Sequence, residues 1–173
     1  MAKRQTIFAL DPGSVNIGGA IVINGIPKKL FSIFGLVPRT KKTKGLFNDD
    51  MDALIRMVVP QFEDILSENN VTHVVWEIPP SFGSMGNREM VQAVCTSLKV
   101  ITFQKKLFYN SFTPNYWHSQ LLDKSRNVSK KDVRGTLLMK FPSLEKFNSL
   151  PPDPFDAAAL GVVAHKIKQW KIA

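Results

Sequence analysis

The sequence predicts an α/β fold, one five-stranded mixed sheet with helices on both faces, and three observations carry that prediction. Short apolar runs bounded by turn residues alternate with stretches of helical periodicity. Their order reads three strands, helix, strand, helix, strand, two helices, which fits one sheet covered on both sides. No internal repeat, low-complexity tract or linker divides the 173 residues, so 1–173 is expected to be a single domain, and 44% hydrophobic content is enough for a substantial core.

Residues 5–11 contain the apolar run Ile7, Phe8, Ala9 and Leu10 and read as a strand buried on both faces. Pro12, Gly13 and Ser14 make a tight turn, and residues 17–23 return as a second strand. Asn24-Gly25 is a strong hairpin signal before a third strand over 29–36, so the opening is an antiparallel meander. After a basic, turn-rich stretch at 38–45, Met51, Leu54, Ile55, Val58, Phe62, Ile65 and Leu66 recur with helical spacing. Pro60 interrupts that pattern, which predicts a kink or two short helices. Residues 71–77 form the fourth strand. A polar link at 79–87 leads to a second helix with Met90, Val91, Val94, Leu98 and Ile101 on one face, and a short fifth strand falls near 107–109. Ser129 is placed to cap a third helix whose inward residues are Val133, Leu137, Leu138 and Phe141. Beyond a Pro-rich loop, Leu160, Val163, Ala164, Ile167 and Trp170 suit a last helix.

Charge narrows the partners. A surplus of 23 Lys and Arg over 14 Asp and Glu leaves a formal charge of +9, which favours polyanions such as nucleic acid, although the same surplus also aids solubility. No run approaches the ~18 apolar residues of a membrane span. The apolar stretch behind Lys3 and Arg4, which mimics the start of a signal peptide, is broken by Asp11. Cys95 is the single cysteine and lies between apolar residues, so it is expected to pack rather than react, and a reducing cytoplasm is the natural location.

Four acidic residues stand out against this basic background. Asp11 closes the first strand, Glu77 closes Val74, Val75 and Trp76, and Asp153 and Asp156 open the last helical segment. Strand ends of an open α/β sheet are where ligands bind, and residues three apart share a helix face. Carboxylates gathered there are costly unless a cation joins them, and an all-oxygen set suits Mg²⁺ or Mn²⁺, with two such ions able to clamp an in-line displacement. One cysteine and three scattered histidines offer no zinc spacing. Each residue also has a structural reading. Asp153 before Pro154 is an ordinary N-cap and first helical position, and Asp11 before Pro-Gly is an ordinary turn residue.

Taken together, Asp11-Pro-Gly-Ser14 with Gly18, Glu77 after a Val-Val-Trp strand, and Asp153 and Asp156 before an Ala-rich helix resemble the RuvC family of Holliday junction resolvases over nearly the whole chain. The resemblance implies a ribonuclease H-like fold, a homodimer, and Mg²⁺- or Mn²⁺-dependent endonuclease activity on four-way DNA junctions in recombination and repair. Asp11, Glu77, Asp153 and Asp156 would be the ligands of two ions. The resemblance also implies a catalytic lysine shortly before the preceding helix. Lys130 aligns with it by its distance to Val133, with Lys131 and Arg134 as competitors. The Gly-rich phrase usual just upstream is replaced by residues 123–127, as in a divergent, phage-encoded member. The family's aromatic after the glutamate has its nearest counterpart in Phe82, two residues late, which would either stack on an unpaired base or fold into the core.

Candidate phosphate contacts are Arg39, Lys41, Lys42 and Lys44 in one loop, Lys105 and Lys106 beside the fifth strand, and Lys124 and Arg126 before the third helix. The helix spanning Met90 to Ile101 is the candidate dimer interface. Other readings share parts of the pattern. Ribonuclease H-like nucleases that process ribosomal RNA precursors have a similar opening with Gly18-Gly-Ala20 but are usually shorter. Kinases of the actin type open with an Asp-x-Gly turn but need a second lobe and a second glycine-rich loop. A DNA-binding module without catalysis would leave four carboxylates repelling phosphate.

Overall fold

A computed structural model of the chain describes residues 4–13, 16–34, 47–79, 85–123, 127–167 and 169–173. The elements are β1 (Thr6–Asp11), β2 (Asn16–Ile23), β3 (Ile26–Phe34), α1 (Phe47–Glu68), β4 (His73–Glu77), α2 (Met85–Gln104), β5 (Phe108–Phe112), α3 (Pro114–Leu122), α4 (Lys130–Lys140), a 3₁₀ turn (Pro142–Phe147), α5 (Asp153–His165) and β6 (Lys171–Ile172). The sheet order is β3-β2-β1-β4-β5-β6. Asn24 and Gly25 both take positive φ, 48° and 80°, the geometry that turns β2 into β3 in two residues. β4 lies parallel to β1, with Leu10 opposite Trp76, and β5 lies parallel to β4.

Alternation along the strands sorts the core into two layers. Ile7, Ala9, Ala20, Val22 and Val75 face α3, α4 and α5, whereas Phe8, Leu10, Ile21, Val74 and Trp76 face α1 and α2. Small residues set the first layer. A Cβ on Gly161 would come within 2.6 Å of Val22 Cγ2, so α5 rests almost directly on the strands. Cys95 is packed in the second layer, and burial pushes its thiol up to about 12, so it packs rather than reacts.

The mixed α/β sheet forms as expected, with four corrections. The sheet has six strands, because Lys171–Ile172 pairs antiparallel with β5. The last helix stops at His165, so Ile167 and Trp170 lie beyond it, and Trp170 packs edge-on to His73 at 4.6 Å between ring centroids. The edge of β5 gives the chain a better partner than another helical turn. An additional helix, α3, begins at Pro114 after β5. Finally, of the kink or two short helices expected at Pro60, the second does not occur, because α1 runs as one 22-residue helix through it. Interior proline costs about 3 kcal/mol. Val58 and Phe62, both fully buried on either side of it, each contribute about 1.5–3 kcal/mol and hold the helix on the sheet.

Among the described residues, no helix is long and apolar enough to cross a membrane.

Candidate active site

Asp11 and Glu77 owe their meeting to strand register. Leu10 sits opposite Trp76 across the parallel β1–β4 pair, so the next residues, Asp11 and Glu77, emerge level at the C-terminal ends of both strands. Period-two alternation places them on the face of Ile7, Ala9 and Val75, beneath α5.

Gly18 brings the helix to them. It pairs with Asp11 across β1 and β2, and a Cβ there would lie 2.2 Å from the carbonyl oxygen of Asp153. Only glycine lets the first turn of α5 pass so close. Asp153 is not the N-cap that its Asp-Pro pair predicts. Pro152 takes that position with φ −69° and ψ −30°, its carbonyl accepts from the N–H groups of Phe155 and Asp156, and no side-chain cap is formed. The backbone is already helical at Pro152, so the helix begins one residue earlier than the Asp-Pro pair predicts and the Asp153 carboxylate is not used as a cap. Asp156 follows one turn on.

Carboxylate oxygens of Asp11, Asp153 and Asp156 lie within 4.8 Å of one another. Glu77 stands outside that three-residue set but shares with Asp11 and Asp156 a cavity of about 180 Å³, also lined by Pro114, Trp117, His118, Ser129, Lys130 and Val133. That is room for roughly six waters' worth of liquid. Lys130 reaches in from the first turn of α4, where its ammonium donates to Asp153 Oδ1 and lies 3.3 Å from Asp156 Oδ2. Its direction is fixed by the expected cap: the Ser129 hydroxyl accepts from the Asp132 N–H while the Asp132 carboxylate accepts from the Ser129 N–H, worth about 1 kcal/mol.

Burial dominates the electrostatics. It holds Asp11 well above the usual carboxylate range, helped by the charges of Glu77 and Asp156. It raises Glu77 to about 7, against a lowering hydrogen bond from Trp117. Burial also raises Asp156 to about 6, against the attraction of Lys130. For Lys130, burial works against the charge, but the hydrogen bond to Asp153 and the charges of Asp156 and Asp11 win, and its pKa is raised. One ammonium does not balance this set. The buried Asp156 Oδ1 has no hydrogen-bond partner among the described residues, although such an orphan costs about 1–3 kcal/mol. Clustered oxygen donors, raised pKa values and an orphaned acceptor together fit a hard divalent cation such as Mg²⁺ or Mn²⁺.

The other expected contacts scatter. Lys131 is exposed on the first turn of α4. Arg134 is tied down: its guanidinium donates to the carbonyl and side-chain oxygens of Asn148 and lies 4.6 Å from the ring centroid of Phe155. Of the three candidate cations, Lys130 alone faces the carboxylates. Lys105 and Lys106 occupy the turn before β5, at the end of the sheet opposite Asp11 and Glu77. Phe82, Lys124 and Arg126, and the loop with Arg39, Lys41, Lys42 and Lys44, lie outside the described residues. Trp117 and His118 of α3 were not expected in the site. Thr113-Pro114 before the spaced residues Trp117 and Leu121 was the available helix signal, since proline favours the first helical position.

No family model and no curated protein matches the chain. Among solved structures, it is similar to Thermus thermophilus RuvC in complex with a Holliday junction substrate, with TM-score 0.73 and 12% identity over 98% of this chain and 99% of that one. Thermus thermophilus RuvC alone gives TM-score 0.68 and 14% identity over 98% and 100%. The yeast mitochondrial Holliday junction resolvase Ydc2 gives 0.59 and 13% over 93% and 79%. At such identities the likeness shows the fold, and the ribonuclease H-like fold of these resolvases extends over nearly the whole chain.

Proposed function

We propose that residues 1–173 form a single metal-dependent endonuclease domain that resolves Holliday junctions by paired nicks in DNA recombination and repair. The carrying observation is the convergence of Asp11, Asp153 and Asp156 within 4.8 Å, with Glu77 sharing a cavity with Asp11 and Asp156, on a fold shared with junction resolvases. Asp11, Glu77, Asp153 and Asp156 would hold two Mg²⁺ or Mn²⁺ ions. When bound, such ions supply positive charge to the attacking and leaving oxygens of an in-line displacement. Water attacks phosphorus, the bond to the 3′-oxygen breaks, and the products carry a 5′-phosphate and a 3′-hydroxyl. Lys130, beside the carboxylates, donates to the phosphate as its charge grows.

The proposed partners are four-way or other branched DNA and a second copy of the chain, in a bacterial or phage-infected cytoplasm. Support for the homodimer comes from an apolar groove of about 620 Å³ between α1 and α2, lined by Met51, Ile55, Val59, Val100 and Ile101. Val100 is 49% exposed there. The net charge of +9 favours the nucleic acid.

Labelled four-way junctions, flaps, RNA hairpins and RNA–DNA hybrids incubated with and without Mg²⁺ test the reading. Symmetric nicks in four-way DNA that require Mg²⁺ are expected. Cleavage of RNA hairpins with no action on junctions would instead place the protein among RNA-processing nucleases, where the 2′-hydroxyl is the discriminating group.

A further inference from the structure

We infer that Trp117 is the positioning residue for Glu77: its indole N–H holds one carboxylate oxygen and leaves the other as the single atom aimed at a cation. This rests on the metal-dependent reading of the site given above. Trp117 Nε1 donates to Glu77 Oε2 at 2.7 Å, across 40 positions of sequence. The indole is 2% exposed and packs in the layer that contains Leu121, Val133 and Phe155. An indole N–H can only donate, so in this apolar setting it needs an acceptor, and Glu77 supplies it. His118 lies edge-on against the ring at 4.0 Å between centroids, which further limits its rotation.

The geometry has a chemical consequence. A free carboxylate can chelate through both oxygens or swing between two ions, but one whose second oxygen is held by a rigid donor offers one oxygen in one direction. Partners of this kind behind a ligating group commonly tune metal affinity. Thus α3, which contributes no carboxylate, fixes how β4 presents its own.

Calorimetric titration of the metal-free full-length protein with Mg²⁺ tests this, using Trp117→Phe, which keeps the aromatic bulk and removes the N–H. Mg²⁺ affinity should fall about 10–100-fold. Metal-free junction binding should stay unchanged, and cleavage should recover as Mg²⁺ is raised. A packing role alone would lower the melting temperature and leave Mg²⁺ affinity in place, so an affinity within twofold of the parent overturns the inference. Asp11→Asn run alongside separates the two levels. If that variant loses Mg²⁺ while Trp117→Phe retains it, only the positioning role falls. If Asp11→Asn binds Mg²⁺ as the parent does, the site itself falls and the inference with it. Should Trp117→Phe not fold, the unsubstituted protein gives the answer by NMR: the Trp117 indole N–H resonance should shift saturably with Mg²⁺, and a fixed resonance while Mg²⁺ binds would overturn the proposal.

Discussion

On one face of the sheet lies α5, rich in small buried residues such as Ala157, Ala158 and Ala164, and at Gly161 it comes so close that an added methyl would strike Val22 and Ala9 of the strands. On the other, α1 and α2 pack through Leu54, Val58, Phe62 and Leu98 and leave an apolar groove between them. Small residues let backbones set the separation, and a backbone does not change rotamer. Bulky side chains set it through interdigitation, which can re-form after a conservative change. The carboxylates sit on the face with the least freedom, and the open groove sits on the face that tolerates adjustment.

Substitutions can break or sharpen this contrast, and the largest effects belong to the α5 face. Asp11→Asn or Glu77→Gln should abolish cleavage while junction binding persists, a loss beyond the ~10–100-fold typical of residues one step removed from a metal. Cleavage at the parental rate by either variant would show that the site is wrongly assigned. Lys130→Ala comes next, with cleavage down ~10²–10³-fold if the ammonium meets the transition-state charge. Equal losses in cleavage and binding would reduce it to a phosphate anchor.

Gly18→Val tests rigidity itself. Its side chain would meet the Asp153 backbone, and a displacement of about 1 Å is enough to cost ~10²-fold in rate. Leu98→Met on the opposite face should destabilise by less than about 1.5 kcal/mol and cut normally. Comparable cleavage defects from both would erase the proposed difference between the faces. In the groove, Val100→Glu should leave the fold within about 0.5 kcal/mol of the parent. It should shift the protein toward monomer in sedimentation, and an unchanged sedimentation profile would argue against this surface as the dimer interface.

The smallest effect is in pH. Burial pushes Glu77 up to about 7 and Asp156 up to about 6, both well above the usual carboxylate range. Raised folded values mean that the native state binds more protons through this window, so the metal-free protein loses stability as pH rises through it. His73 works oppositely. Burial and the nearby His165 lower it to about 4, so its contribution is lost as pH falls below 6.5. Between pH 6.5 and 8 the carboxylates dominate, and the metal-free melting temperature should drop by a few degrees, at about 2–4 °C per kcal/mol. Glu77→Gln should flatten that slope, and Mg²⁺ should abolish it. A metal-free melting curve level between these two pH values would contradict the buried, uncompensated charge.

Much of the site was legible because it rests on local rules. An acid ending an apolar run marks a strand end, a spacing of three puts Asp153 and Asp156 on one helix face, and Ser129 marks the start that aims Lys130. Elements decided at long range were not legible. Trp117 finds its acceptor 40 residues away, and nothing near it in sequence announces Glu77. Ile167 and Trp170 continue an apolar pattern, yet the chain leaves the helix because β5 has an open edge. Asp-Pro fits an N-cap equally well one residue earlier or later, and Pro152 shifts the start. Lys105 and Lys106 precede a strand whose far end borders the site, and only the parallel pairing of β4 and β5 shows that they lie at the opposite end of the sheet.

The place of α5 in the chain, after every other helix, also sets when the four carboxylates can first meet. A ribosome-bound chain that has made the strands but not yet the final helix displays Asp11 and Glu77 without either aspartate of α5, and thus lacks the means to bind ions as a set. Under the proposed function, cleavage therefore waits until synthesis has passed position 156.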